Sequence, residues 1–89
     1  MAGALHSDAY KRFLKALVAF RVDRSVSQAE LARRLDRPPS WVAKNELGER
    51  RIDPIELAEI AVALGESPRA IFQIVEDAVA ISDQNKTKS

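Results

Sequence analysis

Hydrophobic residues recur along the chain with the period of α-helices, and no segment alternates for long with the two-residue period of a strand. Near the N-terminus, one helical face is formed by Tyr10, Phe13, Leu14, Leu17 and Arg21. This spacing predicts a first helix that begins near Ser7 or Asp8 and is broken at residues 24–26.

Capping signals mark the start of the second helix. Ser27 and Glu30 have the spacing of a capping box, and Val26 and Leu31 are placed to form a hydrophobic staple across it. These signals predict a short second helix that ends near Leu35.

Two prolines separate the second helix from the third. A residue that precedes proline is disfavoured in the helical region, so the segment 36–38 is predicted to be a turn. Pro39 suits the first position of the third helix, where its missing N–H is no loss. Gly48 can adopt the left-handed conformation that ends this helix.

The fourth and fifth helices also have clear starts. Asp53 is the predicted N-cap of the fourth helix, Glu56 is its reciprocal capping residue, and Gly65 ends it. Ser67 and the proline after it open the fifth helix, which we expect to continue to Ile81. The five segments predict an all-α fold.

The length and composition agree with one small globular domain. A chain of 89 residues is too short for a scaffold plus a separate sensory or catalytic domain, and 46% hydrophobic residues are too many for a disordered chain. We expect a single domain over residues 7–81, between a flexible N-terminus (residues 1–6) and a flexible polar tail (residues 82–89).

The chain lacks the residues that most catalytic and metal sites need. It has no cysteine, its single histidine (His6) falls in the predicted flexible N-terminus, and no glycine-rich phosphate loop is present. We therefore expect no enzymatic activity, no metal site and no cofactor. No apolar run approaches the roughly 20 residues of a membrane span, and no signal-peptide core follows Met1, which favours a cytoplasmic protein without membrane contact.

The net charge of +1 conceals a strong asymmetry along the chain. Residues 11–51 contain eleven lysines and arginines against five acidic residues, which gives +6. Residues 52–89 contain three basic residues against seven acidic ones, which gives −4, and Asp8 supplies the remaining −1. A basic half of this kind favours a polyanionic partner.

Three motifs span the second to fifth helices. They are SQAELARRL at residues 27–35, VAKNELGERR at residues 42–51, and LAEIAVALG at residues 57–65, the last followed by Ile71-Phe72. In combination they resemble the lambda-repressor-like (Cro-like, XRE) family of DNA-binding proteins over residues 10–75. The resemblance implies a five-helix DNA-binding domain whose second and third helices form a helix-turn-helix.

The resemblance also implies how the chain would contact double-stranded DNA. The second helix would lie across the sugar-phosphate backbone, and the third would enter the major groove as the recognition helix. Phosphate contacts are expected at the N-terminus of the second helix and at three arginines, and base contacts around Lys44. The implied DNA-binding residues are Ser27, Gln28, Arg37, Ser40, Trp41, Lys44, Arg50 and Arg51. A solvated surface is the alternative role of the arginines.

Several positions depart from the family pattern or allow two roles. Pro39 and Ala43 cannot donate to bases, so specificity is expected to rest partly on DNA shape. Asp36 stands in place of a turn glycine, which its tolerance of the left-handed region permits. Asn45 stands at a position where an apolar core residue is common. It either caps a buried polar group or leaves part of the apolar contact at this position exposed. Trp41 can stack on DNA or pack beneath the following loop.

Arg21 and Glu46 place charges on the inward faces of the first and third helices. An unpaired buried charge costs several kcal/mol, so we expect the two to form a structural ion pair, as the resemblance also implies. The alternative is that Arg21 extends its charged end to solvent.

The fifth helix carries more apolar residues than one core-facing side requires. A small protein usually buries such a second side in a partner. We therefore expect a homodimer contact formed by Phe72, Val75, Val79 and Ile81.

These features predict a prokaryotic transcription regulator, a repressor that binds a palindromic operator as a homodimer and associates with the nucleoid. The alternative is a helix-turn-helix used as a protein-interaction module, for instance an antitoxin whose fifth helix binds a toxin. A steep loss of DNA affinity with salt distinguishes the first function from the second.

Overall fold

The computed structural model describes the backbone of residues 7–88 and the side chains of residues 7–80. Over that range the chain forms five α-helices and no strand, which confirms the predicted all-α class. The helices are α1 (Asp8–Asp23), α2 (Gln28–Arg34), α3 (Pro39–Leu47), α4 (Pro54–Ala63) and α5 (Pro68–Lys88).

Side-chain caps fix the starts of α1, α2, α4 and α5 close to the predicted positions, whereas α3 begins at Pro39 without one. The Asp53 carboxylate accepts the backbone N–H of Glu56, and the Glu56 carboxylate accepts the backbone N–H of Asp53, so α4 begins with a complete capping box. At α2, Ser27 Oγ accepts the backbone N–H of Glu30. The Glu30 carboxylate instead binds the two arginines of the last turn of α2, so the predicted reciprocal bond at α2 is replaced by ion pairs.

Two residues in the left-handed region shape the turns around α3. Asp36 has φ 55° directly after α2, where the sequence has no glycine. Gly48 has φ 82° and ends α3, with its N–H donating to the carbonyl of Asn45. A side chain at Gly48 would incur the strain of this conformation, whereas Asp tolerates it better than most residues.

One hydrophobic core lies between the helices. α1 and α4 both pack against α5, and α3 packs against α2 and α1. The core contains Phe13, Leu14, Leu17, Val26, Leu31, Ala32, Val42, Ile60, Ala61, Leu64, Ile71 and Ala78. Only Val42 and Asn45 of α3 are buried, so this helix keeps most of its side chains partly or fully exposed.

Polar contacts join α1 to the C-terminal part of the fold. Arg12 donates twice to the carbonyl of Ala78, at 3.1 and 3.2 Å, and so holds α5 against α1. Arg24 binds Glu66 at 2.8 Å in the loop between α4 and α5, and its guanidinium lies 3.6 Å from the centre of the Phe20 ring. These contacts hold α5 and the loop before it to α1.

The last helix continues beyond Ile81, where the sequence predicts the end of the domain. Its backbone is helical to Lys88, because residues 82–88 contain no glycine or proline that would stop it. Phe72 and Val79 of this helix remain 53% and 46% exposed. The side chain of Ile81 and all of residues 1–6 lie outside the described part of the chain.

Two residues of α4 provide a test of this core. Ile60 is 3% exposed, and Val62 is 64% exposed. We expect Ile60→Ala to lower the free energy of unfolding by about 2–5 kcal/mol, because it leaves a cavity. Val62→Ala should change it by less than about 0.5 kcal/mol. Urea denaturation of both variants measures the difference, and equal losses would contradict the core assignment.

Candidate nucleic-acid interface

The helix-turn-helix is formed by α2, the turn at residues 35–38 and α3. The two helices pack closely against each other, and α3 begins with Pro39, as predicted. Ser40 and Lys44 lie one helical turn apart on α3, and both are exposed. The exposed side of α3 therefore carries a hydroxyl group and a cation, and neither is bound by another described residue.

A buried ion pair ties α3 to α1. Arg21 Nε donates to Glu46 Oε2 at 2.7 Å and Arg21 Nη2 donates to Glu46 Oε1 at 3.0 Å, which is bidentate geometry. The two side chains are only 9% and 8% exposed. The remaining nitrogen, Nη1, donates to the carbonyl of Val26 at 2.7 Å. Arg21 therefore binds inside the fold rather than extending to solvent.

Gln28 belongs to the same network. Its Nε2 donates to Glu46 Oε1 at 2.8 Å, so the first residue of α2 is bound to α3. The family resemblance implies a DNA contact for Gln28. In the structure its side-chain nitrogen is directed toward Glu46. The cap residue Ser27, which precedes Gln28 at the start of α2, is exposed.

Arg50 makes a second ion pair, with Glu56 at the start of α4. Its Nη1 and Nη2 donate to the two carboxylate oxygens at 2.8 and 2.6 Å, and Nη1 also lies 3.3 Å from Asn45 Oδ1. The hydrogen bond from Arg50 lowers the pKa of Glu56 from its usual value of 4.5 to about 2. The predicted phosphate ligand Arg50 is therefore already bound to a carboxylate.

Trp41 and Asn45 occupy the inner side of α3. Trp41 is half-buried against the core, and the guanidinium carbons of Arg37 and Arg50 lie 4.6 and 5.2 Å from the centre of its ring. Asn45 is buried, so it does not expose this position, and its Oδ1 accepts from Nη1 of the partly exposed Arg50. Trp41 thus combines packing on the core with contacts to two arginines at the interface.

The other predicted cations lie at the surface. Arg37 and Lys44 are exposed, and neither makes an ion pair with another described residue. Arg51 is exposed and lies 4.4 Å from the centre of the Tyr10 ring. Tyr10 in turn accepts the backbone N–H of Ile52 at 3.2 Å, so α1 orders the loop that carries Arg51.

Sequence reasoning missed the binding of Arg50 by Glu56. It identified both residues, one as a phosphate ligand and the other as a helix cap, but did not join them. The six-residue separation spans a loop, so no helical spacing brings the two side chains together. Glu56 can form both contacts because a carboxylate accepts several hydrogen bonds at once.

Neither a metal site nor a membrane span is found in the described residues. No group of three or more His, Asp or Glu side chains within residues 7–80 could hold a metal ion. No described helix is long and apolar enough to cross a membrane.

A comparison with solved structures identifies the fold. An "XRE-family like protein" from Pseudomonas syringae pv. tomato str. DC3000 is 36% identical in sequence and superposes with a TM-score of 0.74, over 85% of this chain and 93% of that one. The chain belongs to the XRE family. No family model and no curated protein matches the sequence.

Membership of the XRE family makes α2 and α3 a helix-turn-helix of a regulator-type fold. Such folds are typically found in regulators rather than enzymes.

The Arg50–Glu56 pair predicts a pH dependence of stability. Because the pKa of Glu56 is about 2 in the folded protein and about 4.5 when unpaired, the stabilisation is fully present above about pH 4.5. It is lost as the pH falls from 4.5 toward 2. Glu56→Gln should lower the free energy of unfolding at neutral pH, and its difference from the wild type should shrink through this window in urea denaturation.

Glu59→Gln is the matched control for this substitution. Glu59 is exposed on the same helix and forms no ion pair with a described residue. The control should follow the wild type at every pH. A Glu56→Gln difference that stayed constant down to pH 2 would show that its effect comes from packing or capping rather than from the charge.

Proposed function

We propose that this XRE-family protein is a sequence-specific DNA-binding regulator of transcription, a repressor that acts as a homodimer on a palindromic operator. The proposal assigns it no enzymatic activity and no cofactor, and places it in the cytoplasm at the nucleoid. The observation that carries it is the outer surface of α3, where exposed Ser40 and Lys44 adjoin exposed Arg37 on a helix held firmly from behind.

The inner and outer sides of α3 favour this function for separate reasons. On the inner side, Glu46 and Asn45 are bound by arginines, which fixes the helix before it meets a partner. On the outer side, Lys44 is suited to the O6 and N7 acceptors of guanine. A rigid helix with exposed donors loses little conformational entropy on binding.

The phosphate contacts are assigned to the residues that border α3. Arg37 and Arg51 are exposed on either side of the recognition helix, and the capped start of α2 at Ser27 presents backbone N–H groups. Gln28 and Arg50 act in this proposal mainly by positioning α2 and α3. Arg50 keeps its bidentate pair with Glu56 in this proposal.

The proposed dimer uses the exposed side of α5. Phe72, Val75 and Val79 follow one another at spacings of three and four residues, so they lie on one face. Phe72 and Val79 are about half exposed, and a groove of about 360 Å³ between α5, α1 and the start of α4 adjoins them. A second copy would bury this face and place two recognition helices on one operator.

The role of Lys44 can be tested on DNA from the protein's own promoter. If Lys44 contacts a guanine, Lys44→Ala should weaken binding by about 1–3 kcal/mol and relax specificity at one position of the operator. Gel-shift titrations with an operator and its single-base variants measure both effects. Arg69→Ala is the matched control, because it removes one exposed cation from the start of α5, outside α2 and α3.

A salt series separates this function from a protein-interaction module. For a protein that contacts several phosphates, the logarithm of the binding constant falls linearly with the logarithm of salt concentration, and Arg37→Gln should reduce that slope by about 1. Absence of binding to promoter DNA at low salt would refute the DNA function and favour the antitoxin-like alternative.

The dimer predicts a specific effect of an α5 substitution. Phe72→Ala should weaken self-association by at least about tenfold in sedimentation equilibrium, since it removes a large apolar side chain from the proposed contact. Val22→Ala, a residue of similar exposure on α1, should leave the association constant unchanged. A wild-type protein that stays monomeric at high micromolar concentration would exclude the dimer.

A further inference from the structure

Two arginines lie over the ring of Trp41, and their charges are treated differently by the fold. The guanidinium carbons of Arg37 and Arg50 are 4.6 and 5.2 Å from the ring centre, within the range of a cation–π contact. Both Nη atoms of Arg50 also donate to the Glu56 carboxylate, so its charge is paired inside the fold. Arg37 forms no ion pair with a described residue. Its ring contact is therefore made by a cation that no carboxylate binds.

The backbone brings Arg37 to Trp41 across the turn between α2 and α3. The backbone N–H of Arg37 donates to the carbonyl of Ala32 at 2.9 Å, which ties the turn to a buried residue of α2. Pro38 and Pro39 follow, and their rings fix φ at both positions. The N–H of Trp41 then donates to the carbonyl of Pro38 at 2.9 Å. The two backbones are thus held in place, and the contact depends on how the side chains are held.

The Trp41 ring is a firm surface for the Arg37 side chain. Trp41 is half-buried and packs against the core, whereas Arg37 is exposed. An exposed arginine samples many rotamers, and ordering it on binding costs conformational entropy. A ring beneath the guanidinium reduces that cost before a partner arrives. Because the ring carries no net charge, it holds the cation without neutralising it.

We propose that Trp41 is a positioning residue for Arg37, whose charged guanidinium it holds at the turn of the helix-turn-helix for contact with a DNA phosphate. This inference rests on the proposed DNA function and divides the roles of the two arginines. Arg37 is the phosphate ligand, whereas Arg50 joins α3 to the start of α4 through Asn45 and Glu56. Trp41 acts through Arg37 and needs no contact of its own with a base or a sugar.

Nuclear magnetic resonance of the free protein tests the first half of this proposal. The ring current of an aromatic side chain shifts protons over its face upfield, so the δ protons of Arg37 should resonate upfield of the usual arginine range. A shift should remain in Trp41→Phe, which keeps a ring, and disappear in Trp41→Leu, which keeps only apolar volume. Arg37 δ protons at their usual position in the wild type would overturn the proposal.

A double-mutant cycle on promoter DNA tests the second half. Arg37→Gln should weaken binding by less in a Trp41→Leu background than in the wild type, because the arginine that it removes is then no longer held in place. We expect a difference of about two- to tenfold in the binding constant, which corresponds to about 0.5–1.5 kcal/mol for ordering one side chain. Trp41→Phe should restore most of the effect of Arg37→Gln.

Arg51→Gln is the matched control for the cycle. Arg51 is also an exposed arginine beside the recognition helix, but its guanidinium carbon lies 4.4 Å from the centre of the Tyr10 ring of α1. Its effect on binding should be the same in the wild-type and Trp41→Leu backgrounds. Equal coupling of both arginines to Trp41→Leu would show that α3 has moved as a whole, and would overturn the positioning role. Additive effects of Arg37→Gln and Trp41→Leu would overturn it as well.

The two measurements separate the failure of this inference from the failure of the proposed function. If the wild type binds no promoter DNA, the phosphate role of Arg37 falls together with the DNA function, while the shift of its δ protons still decides whether Trp41 holds the cation. If Trp41→Leu loses its helical circular dichroism, Trp41→Met, an unbranched apolar substitution without a ring, replaces it in both experiments.

Discussion

The buried ion pair between Arg21 and Glu46 is the interaction on which the position of α3 depends. Val42 and Asn45 are the only fully buried residues of α3, so the apolar contact between this helix and the core is small. The bidentate pair adds a directional contact to α1, and Gln28 extends it to α2. Removing one member of such a pair leaves the other charge buried, typically at a cost of about 3–5 kcal/mol.

Ion pairing also changes the meaning of the charge asymmetry. Five arginines of the basic half are bound by carboxylates in the structure: Arg21, Arg24, Arg33, Arg34 and Arg50. Two of those carboxylates, Glu56 and Glu66, come from the acidic half of the sequence. Folding therefore neutralises part of the +6 segment and leaves selected cations around α3, such as Arg37 and Lys44, available at the surface.

Local patterns were sufficient to predict where the helices begin, because each helix start is fixed by residues within four positions of one another. The capping box at Asp53 and the left-handed Gly48 are examples, and Asp36 adopted the conformation that its turn requires. The meeting of Arg21 and Glu46 also followed, since both lie on inward helical faces. The contacts of Arg50 and Trp41 did not follow from sequence, because they depend on loop paths and on the rotation of α3 against α4.

The separation of the two sides of α3 has a consequence for how the protein could change over evolutionary time. Ser40 and Lys44 are exposed, and no ion pair or hydrogen-bond network of the interior uses their side chains. Substitutions at such positions usually alter stability by less than about 0.5 kcal/mol. Single substitutions can therefore change the exposed surface of this helix while the buried residues that support it stay the same.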